Sequence, residues 1–394
     1  MPYTPFRMSQ FGKYQLLNQI GGGRLSQVFR VTRSGGSSDA ARLPKTALKR
    51  VRPDVIGEPA FVQLVVREAS LLARLSHPSL CQCQEMGVVD GSAFLTLDLV
   101  EGCTLRALLR RISRLGVRMP AVSITAVGYQ LARVLRYLHE GSDIPLIHLD
   151  LSPQNVMITR EGEVKLIDFG IARHLDGSNP PPLEGKIAGT VGYMSPEQAS
   201  GRELDRRSDQ FGLGILLYEM LSGRRAFRGN TRETWDRLRH GRIPGADAAL
   251  EWVPSDVREM VLRLLRPDPA ERFPGMGDVL ERLAAAALYP LAGRASLSAL
   301  VRHLLQDQTF DPFDVVRLQA PSPATPDDIP LGEIAPRGTS GNGDSYAELA
   351  IEVDQRGDGT PGSLVRAALP KESIPDSPFL ETIGQARATA EIAR

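Results

Sequence analysis

Ile147-His148-Leu149-Asp150-Leu151-Ser152-Pro153-Gln154-Asn155, followed shortly by Val164-Lys165-Leu166-Ile167-Asp168-Phe169-Gly170, is the stretch on which the fold turns. In each half, an acidic residue on a loop lies beside a short apolar run that reads as a buried strand. Asn155 adds an amide to the two carboxylates. Two carboxylates and an amide gathered on loops can hold a metal ion and handle a proton. Their oxygen ligands suit Mg²⁺, which is usually held by few protein groups plus substrate phosphates. Taken singly, Asp150 and Asp168 read as ordinary turn formers; their joint spacing argues for a site.

Working outward toward the amino terminus, the pattern from Tyr14 to about Leu99 is mostly strands. Residues 27–31, 46–51 and 93–97 carry β-favouring or alternating residues. One helix interrupts them, expected from about Pro59 to Leu75, with Phe61, Leu64, Val65, Leu71, Leu72 and Leu75 at helical spacing. Before it stands Gly21-Gly22-Gly23-Arg24-Leu25-Ser26-Gln27-Val28. Glycines there let backbone amides approach phosphate oxygens without a Cβ in the way. A dinucleotide fold would need a helix after such a loop, whereas the residues from Gln27 read as another strand. A glycine-rich hairpin over a nucleotide fits better, and a plain flexible turn is the alternative for this segment alone.

Toward the carboxyl terminus, helical patterns dominate from Leu105 to about Ala287, for example Ser123 to His139 and Ser208 to Leu221. Beyond Pro290 the character changes. Ser296 reads as a cap for a helix with Leu297, Leu300, Val301, Leu304 and Leu305 on one face, and that face needs a cover. From Ala320 to Pro375 the chain is rich in Pro, Gly, Ser and Asp, with too little apolar surface to offset ordering entropy. The organisation expected is therefore a domain over 14–287 (a small β-rich lobe at 14–99 and a larger helical lobe at 105–287), a short helical extension at 288–319, and a disordered tail at 320–394.

Composition narrows the function classes. The 394 residues are 42% apolar, enough for a sizeable core, and 47 Lys and Arg nearly balance 46 Asp and Glu. No overall field would draw in nucleic acid or an anionic membrane, so neither is an expected partner. Met1 to Lys13 lacks the apolar core of a signal peptide, and the longest apolar stretch, Leu283 to Ala292, is too short for a membrane span. A cytoplasmic protein is expected. Cys81 and Cys83 without a second pair make a poor zinc site, and they read, with Cys103, as small apolar residues.

From Tyr14 to about Ala287 the sequence resembles the eukaryotic-like (bacterial-type) Ser/Thr protein kinase family, whose motif set is a familiar one. Gly21, Gly23 and Val28 fit its glycine loop, Thr46-Ala47-Leu48-Lys49 its lysine-bearing strand, and Glu68 the helix that supplies the lysine's partner. His148, Asp150 and Asn155 fit the catalytic loop. Asp168-Phe169-Gly170 and Ser195-Pro196-Glu197 fit the motifs that bracket the activation segment. Asp209 and Arg272 match two further anchors. The resemblance implies a bilobal α+β fold, ATP and Mg²⁺ (or Mn²⁺) as cofactors, and protein substrates with serine or threonine acceptors. It implies that Lys49, held by Glu68, grips the α- and β-phosphates, that Asn155 and Asp168 hold the metal, and that Asp150 orients the acceptor hydroxyl beside Thr190. Around the nucleotide it implies Ile20, Gly21, Gly22, Gly23, Ser26, Val28 and Ala47 above and Met157 below. Leu97 stands as gatekeeper, and backbone groups of Asp98 and Val100 read the adenine edge.

Three residues depart from that family pattern. Ser26 stands for the third loop glycine, which costs some backbone freedom but keeps a small side chain. Ser152 stands for a lysine aimed at the γ-phosphate, which implies a slower enzyme. Leu149 stands for the arginine that, in many kinases, receives a phosphorylated activation loop. Residues 171–188 contain no threonine and only one serine, Ser178. Receptor and ligand are thus both missing, and activity independent of activation-loop phosphorylation is expected; the alternative is reception of phosphorylated Ser178 by Arg173 or Lys186. Gly189-Thr190-Val191-Gly192-Tyr193 looks like the Ser/Thr form of the substrate-docking loop. The other function class is a pseudokinase scaffold that binds partners, with a tail-binding partner possible; retention of Lys49, Glu68, Asp150, Asn155 and Asp168 argues against it.

Overall fold

A computed structural model describes residues 9–23, 26–33, 46–55, 59–177, 186–227, 232–286, 290–307, 312–313 and 331–333. Ser178, Arg24, Leu25 and nearly all of the expected tail at 320–394 lie outside the described residues.

Strands β1 (Ser9–Phe11), β2 (Tyr14–Gly22), β3 (Ser26–Arg33) and β4 (Thr46–Val51) precede helix α1 (Pro59–Leu72), which is followed by β5 (Cys83–Val89) and β6 (Ser92–Asp98). The strands form one antiparallel sheet in the order β1-β2-β3-β4-β6-β5. Alternation buries Leu16, Phe29, Val31, Leu48 and Phe94 on one face. On the other, Val65 and Ala69 of α1 pack with Val51, Ala93 and Leu95. That packing face places Glu68, next to Ala69, against β4.

The helical lobe begins with β7 (Gly102–Thr104) and α2 (Leu105–Leu115), capped by the Thr104 hydroxyl, which accepts from Ala107 N. Helix α3 (Ala121–Arg136) runs on into a π turn at Tyr137–Gly141. Short strands β8 (Leu146–Ile147), β9 (Val156–Thr159), β10 (Val164–Leu166), β11 (Arg173–His174) and β12 (Lys186–Ala188) follow. Then come α4 (Pro196–Ala199), α5 (Arg207–Ser222), α6 (Arg232–His240), α7 (Ala246–Ala249), α8 (Ser255–Leu264) and α9 (Met276–Ala286). Every residue of α5 from Ser208 to Leu221 is buried, so this helix is the hub of the lobe. Ser195 caps α4, whose Glu197 pairs with the buried Arg272 at 2.7 Å and accepts from Ser208 Oγ at 2.8 Å.

The carboxyl-terminal helix differs from expectation. Helix α10 spans Pro290–Gln306, and Ser296 lies within it, not at its cap. Proline is preorganised for a first helical turn, so Pro290 sets the start, and Ser296 accepts from Ser123 Oγ at 2.8 Å across to α3. The apolar face is covered: Leu297, Val301 and Leu304 are buried in the main core, with Leu300 and Leu305 packed against it. Each fully buried leucine or valine contributes about 1.5–3 kcal/mol. Gly293 permits the approach, since a Cβ there would stand 2.6 Å from Val122 O and 2.7 Å from the Ala126 methyl. Beyond α10, Leu331–Glu333 (β13) pair antiparallel with β12.

Candidate active site

The loop carrying His148 and Asp150 is shaped from beneath by Asp209, in the first turn of α5, where the helix dipole favours a carboxylate. Asp209 accepts from His148 N at 2.9 Å and Leu149 N at 2.8 Å, and pairs with His139 Nε2 at 2.8 Å. Burial alone would push its carboxyl up; His139 and the amides outweigh that and hold it below the usual range. These bonds fix Leu149 at φ 67°, a left-handed conformation that costs a side-chain-bearing residue about 1–2 kcal/mol. The His148 ring packs edge-on against Phe169 at 4.9 Å.

Asp150, released upward by that loop, is clamped at both oxygens. Oδ1 accepts from Thr190 N at 2.8 Å and Thr190 Oγ1 at 2.7 Å, which realises the expected Thr190 contact. Oδ2 accepts from Asn155 Nδ2 at 2.6 Å, and the same amide also donates to Asp150 O at 3.0 Å. Burial pushes the Asp150 carboxyl above its ordinary 3.8, the Asp168 charge adds to this, and the Thr190 hydrogen bonds oppose it. A carboxylate held this way is a positioned proton acceptor.

Across the cleft, Lys49 of β4 and Glu68 of α1 meet at 3.0 and 2.7 Å, and the third ammonium donor reaches Asp168 Oδ1 at 3.1 Å. Burial opposes the Lys49 charge, but Asp168 and Glu68 more than compensate and raise its pKa. Glu68 is itself pushed up by burial, although Lys49 opposes the shift. Asp168 is held below the usual range: burial acts upward, and Lys49 overcomes it. The Asp168 side chain is 43% exposed, and the Asn155 amide has both described bonds on its nitrogen, leaving Oδ1 for a cation. A carboxylate and an amide oxygen are ligand types that would suit Mg²⁺ or Mn²⁺ completed by substrate phosphates. Among the described residues no group of three or more His, Cys, Asp and Glu stands ready as a self-sufficient metal cage.

The glycine segment is the turn of the β2–β3 hairpin, with Gly21 opposite Val28, Gly22 opposite Gln27, and Gly23 N bonded to Ser26 O at 2.9 Å. At Gly22, φ is 149°, and a Cβ would meet Ser26 O at 2.9 Å, so glycine is required there. Ile20 is buried in the same strand. Register places Val28 opposite Lys49, Ala47 opposite Leu97, and Thr46 opposite Asp98. Below lies an apolar patch of Cys81, Val100 and Met157, packed by Leu97, Ile167 and Phe313. Leu97, opposite Ala47 in the sheet, thus also packs against Val100 and Met157 of the patch. Burial pushes the Cys81 and Cys83 thiols up to about 11, which suits apolar filler rather than metal ligands.

Sequence reading missed two glutamines. Gln154 Nε2 reaches Thr190 Oγ1 at 3.2 Å while its Oε1 accepts from Arg106 at 2.9 Å, so it steadies the hydroxyl that holds Asp150. Buried Gln198 donates to Leu149 O at 3.0 Å and Ala188 O at 2.7 Å, tying the catalytic loop to β12 without charge. Amides at ordinary positions carry no spacing signal that would have found them. The Ser152 hydroxyl, where the family places a lysine, is buried and has no hydrogen-bond partner among the described residues.

Residues 14–282 match the family model described as the protein kinase domain. Among curated relatives, the chain is 28% identical to the tyrosine-protein kinase MasK of Myxococcus xanthus, over 92% of this chain and 57% of that protein. It is 31% identical to the serine/threonine-protein kinase PknA of Mycobacterium tuberculosis (70% of this chain, 61% of the relative). With PrkC of Bacillus subtilis, also a serine/threonine-protein kinase, identity is 30% over 66% of this chain and 38% of the relative. The chain thus spans from under half to about three fifths of these proteins.

Proposed function

The chain belongs to the protein kinase family, and from that premise we propose that it transfers the γ-phosphoryl group of ATP to serine or threonine hydroxyls of protein substrates. One observation carries the reading: Asp150 is held at one oxygen by Thr190 and at the other by Asn155, facing the Lys49–Asp168 pair. Asp150 orients the acceptor hydroxyl and takes its proton as that oxygen bonds to the γ-phosphorus and the bond to the β-phosphate bridging oxygen breaks. Lys49, steadied by Glu68, grips the α- and β-phosphates, and the glycine hairpin lays its amides over them. Asp168 and Asn155 would hold Mg²⁺ or Mn²⁺, which would supply neutralisation of the phosphate charge. Leu97 borders the adenine, and backbone groups of Asp98 and Val100 read its edge. A cytoplasmic location goes with this reading, since ATP is supplied there.

Thr190 in contact with Asp150 supports serine and threonine acceptors. Tyrosine is the competing acceptor, favoured by the likeness to MasK over most of this chain and by Ser152 in place of the lysine. Activation-loop phosphorylation is not required, because neutral Gln198 already ties the catalytic loop to β12.

The test is radiolabelled ATP with a generic acceptor protein, wild type against Asp150→Asn, followed by phosphoamino-acid analysis. Label on serine and threonine, lost in the variant, is the expected result. Label on tyrosine alone overturns the acceptor class, and nucleotide binding without transfer points to a pseudokinase scaffold.

A further inference from the structure

The family match ends at residue 282, yet a residue well beyond it reaches the cleft. We infer that Phe313 is a nucleotide-binding residue: the chain after α10 returns to the cleft and adds an aromatic wall to the adenine pocket. The inference rests on the ATP-binding reading above.

Three observations lead to it. Helix α10 is fixed to the helical lobe by Leu297, Val301 and Leu304, and Asp307, the residue just after it, pairs with Arg111 of α2. Further along, Pro312 O accepts from Thr104 N at 2.8 Å. Thr104 lies directly across the β7–β9 ladder from Met157, the floor of the expected adenine site. A carbonyl pinned at Thr104 therefore delivers the next side chain beside Met157. Phe313 is found there, packed on the patch of Cys81, Val100 and Met157 together with Leu97 and Ile167.

Three of these, Leu97, Val100 and Met157, are residues around which the adenine ring is expected, and Phe313 is the aromatic member of the patch. An aromatic face offers a planar base both apolar area and stacking. Phe313 remains partly exposed, and the carbonyl of the preceding Pro312 is tied to Thr104 N, just before α2. This position suits a wall that a nucleotide slides against, not a plug that it must expel. No charge, proton or bond changes are involved; the contribution is contact area, and it acts on the base rather than the phosphates.

The experiment measures binding of Mg²⁺–ATP and of adenosine alone to the full chain by calorimetry, for wild type, Phe313→Ala and Phe313→Trp. Steady-state KM for ATP and the melting temperature without nucleotide are measured alongside. Phe313→Ala is expected to weaken both ligands by about fivefold or more and to raise KM for ATP. Its kcat and ligand-free melting temperature should stay near wild type, and Phe313→Trp should restore affinity. Unchanged affinity in Phe313→Ala overturns the inference, while tighter binding shows a plug and overturns it equally. Loss of ATP affinity without loss of adenosine affinity also overturns it, because the contact would not be to the base. Should wild type bind no ATP, the underlying nucleotide-binding reading falls as well, an outcome distinct from a wild type that binds and a variant that does not differ.

Discussion

Arg272 and Lys49 are each held by a glutamate through two short bonds, Glu197 at 2.7 and 2.9 Å and Glu68 at 3.0 and 2.7 Å. Their remaining donors go to different kinds of partner. A guanidinium has five N–H groups, and those of Arg272 that do not serve Glu197 reach the carbonyls of Arg207, Arg266 and Pro267. Every donor is thus spent on groups that cannot leave, and the side chain is wholly buried. Lys49 spends its last donor on Asp168, a carboxylate open to the cleft. The same chemistry gives a permanent joint in one lobe and an exchangeable grip in the other, and the identity of the outermost partner decides which.

The largest effects test that contrast directly. Arg272→Met leaves the Glu197 charge buried without its partner, a loss of about 3–5 kcal/mol, and lowers the melting temperature by roughly 10 °C. Lys49→Met does the reverse: transfer falls by about a thousandfold or more, while the melting temperature shifts by only a few degrees. Glu68, already pushed up by burial, can take a proton when its partner is gone. Calorimetric melting beside an initial-rate assay reads both, and a melting loss in Lys49→Met as large as that in Arg272→Met would erase the distinction. The Glu197 carboxyl is held below its ordinary 4.5, against burial, by Arg272. Its stabilisation is therefore full above about pH 4.5 and is lost as pH falls through the lower folded value, a dependence that Arg272→Met should remove.

A smaller effect separates position from charge at Asp150. The Thr190 hydroxyl bonds to the ionised form and lowers a pKa that burial has raised. Thr190→Val keeps the shape and removes that bond, so the acid limb of kcat/KM moves to higher pH and kcat at neutral pH falls by about tenfold or less. A limb that stays or moves lower refutes the assignment. The smallest effect is expected at Ser178: phosphatase-treated wild type, Ser178→Ala and Ser178→Asp should differ in kcat/KM by less than about tenfold, or 1.4 kcal/mol. A larger drop in the alanine or dephosphorylated enzyme would mean that the exchangeable grip has a second, phosphate-dependent control.

What was legible in the sequence depended on distance along the chain. Asp150 and Asn155 share one loop and Asp168 follows on the next strand pair, so their joint spacing pointed to a site, whereas His148 was singled out only by the family resemblance. Joining Lys49 to Glu68 needed the family resemblance, because a strand and a helix meet there only in three dimensions. The face of α10 was readable from Leu297, Val301 and Leu304, but its start was not: a serine within a helix looks like a cap, whereas Pro290 sets the turn. Its cover was also hidden, since nothing local tells that Gly293 lies against Val122 and Ala126. Phe313 stands in a stretch without periodicity, and Gln154 and Gln198 gain meaning only from carbonyls and hydroxyls distant in sequence.

The way Asp209 holds the catalytic loop has a consequence for substitution at position 149. It grips the backbone amides of His148 and Leu149, groups that every residue except proline supplies. The side chain at position 149 therefore contributes nothing to that grip. A substitution at position 149 that keeps a backbone N–H leaves the bonds to Asp209 available, and any effect it has must come from what the buried side chain packs against.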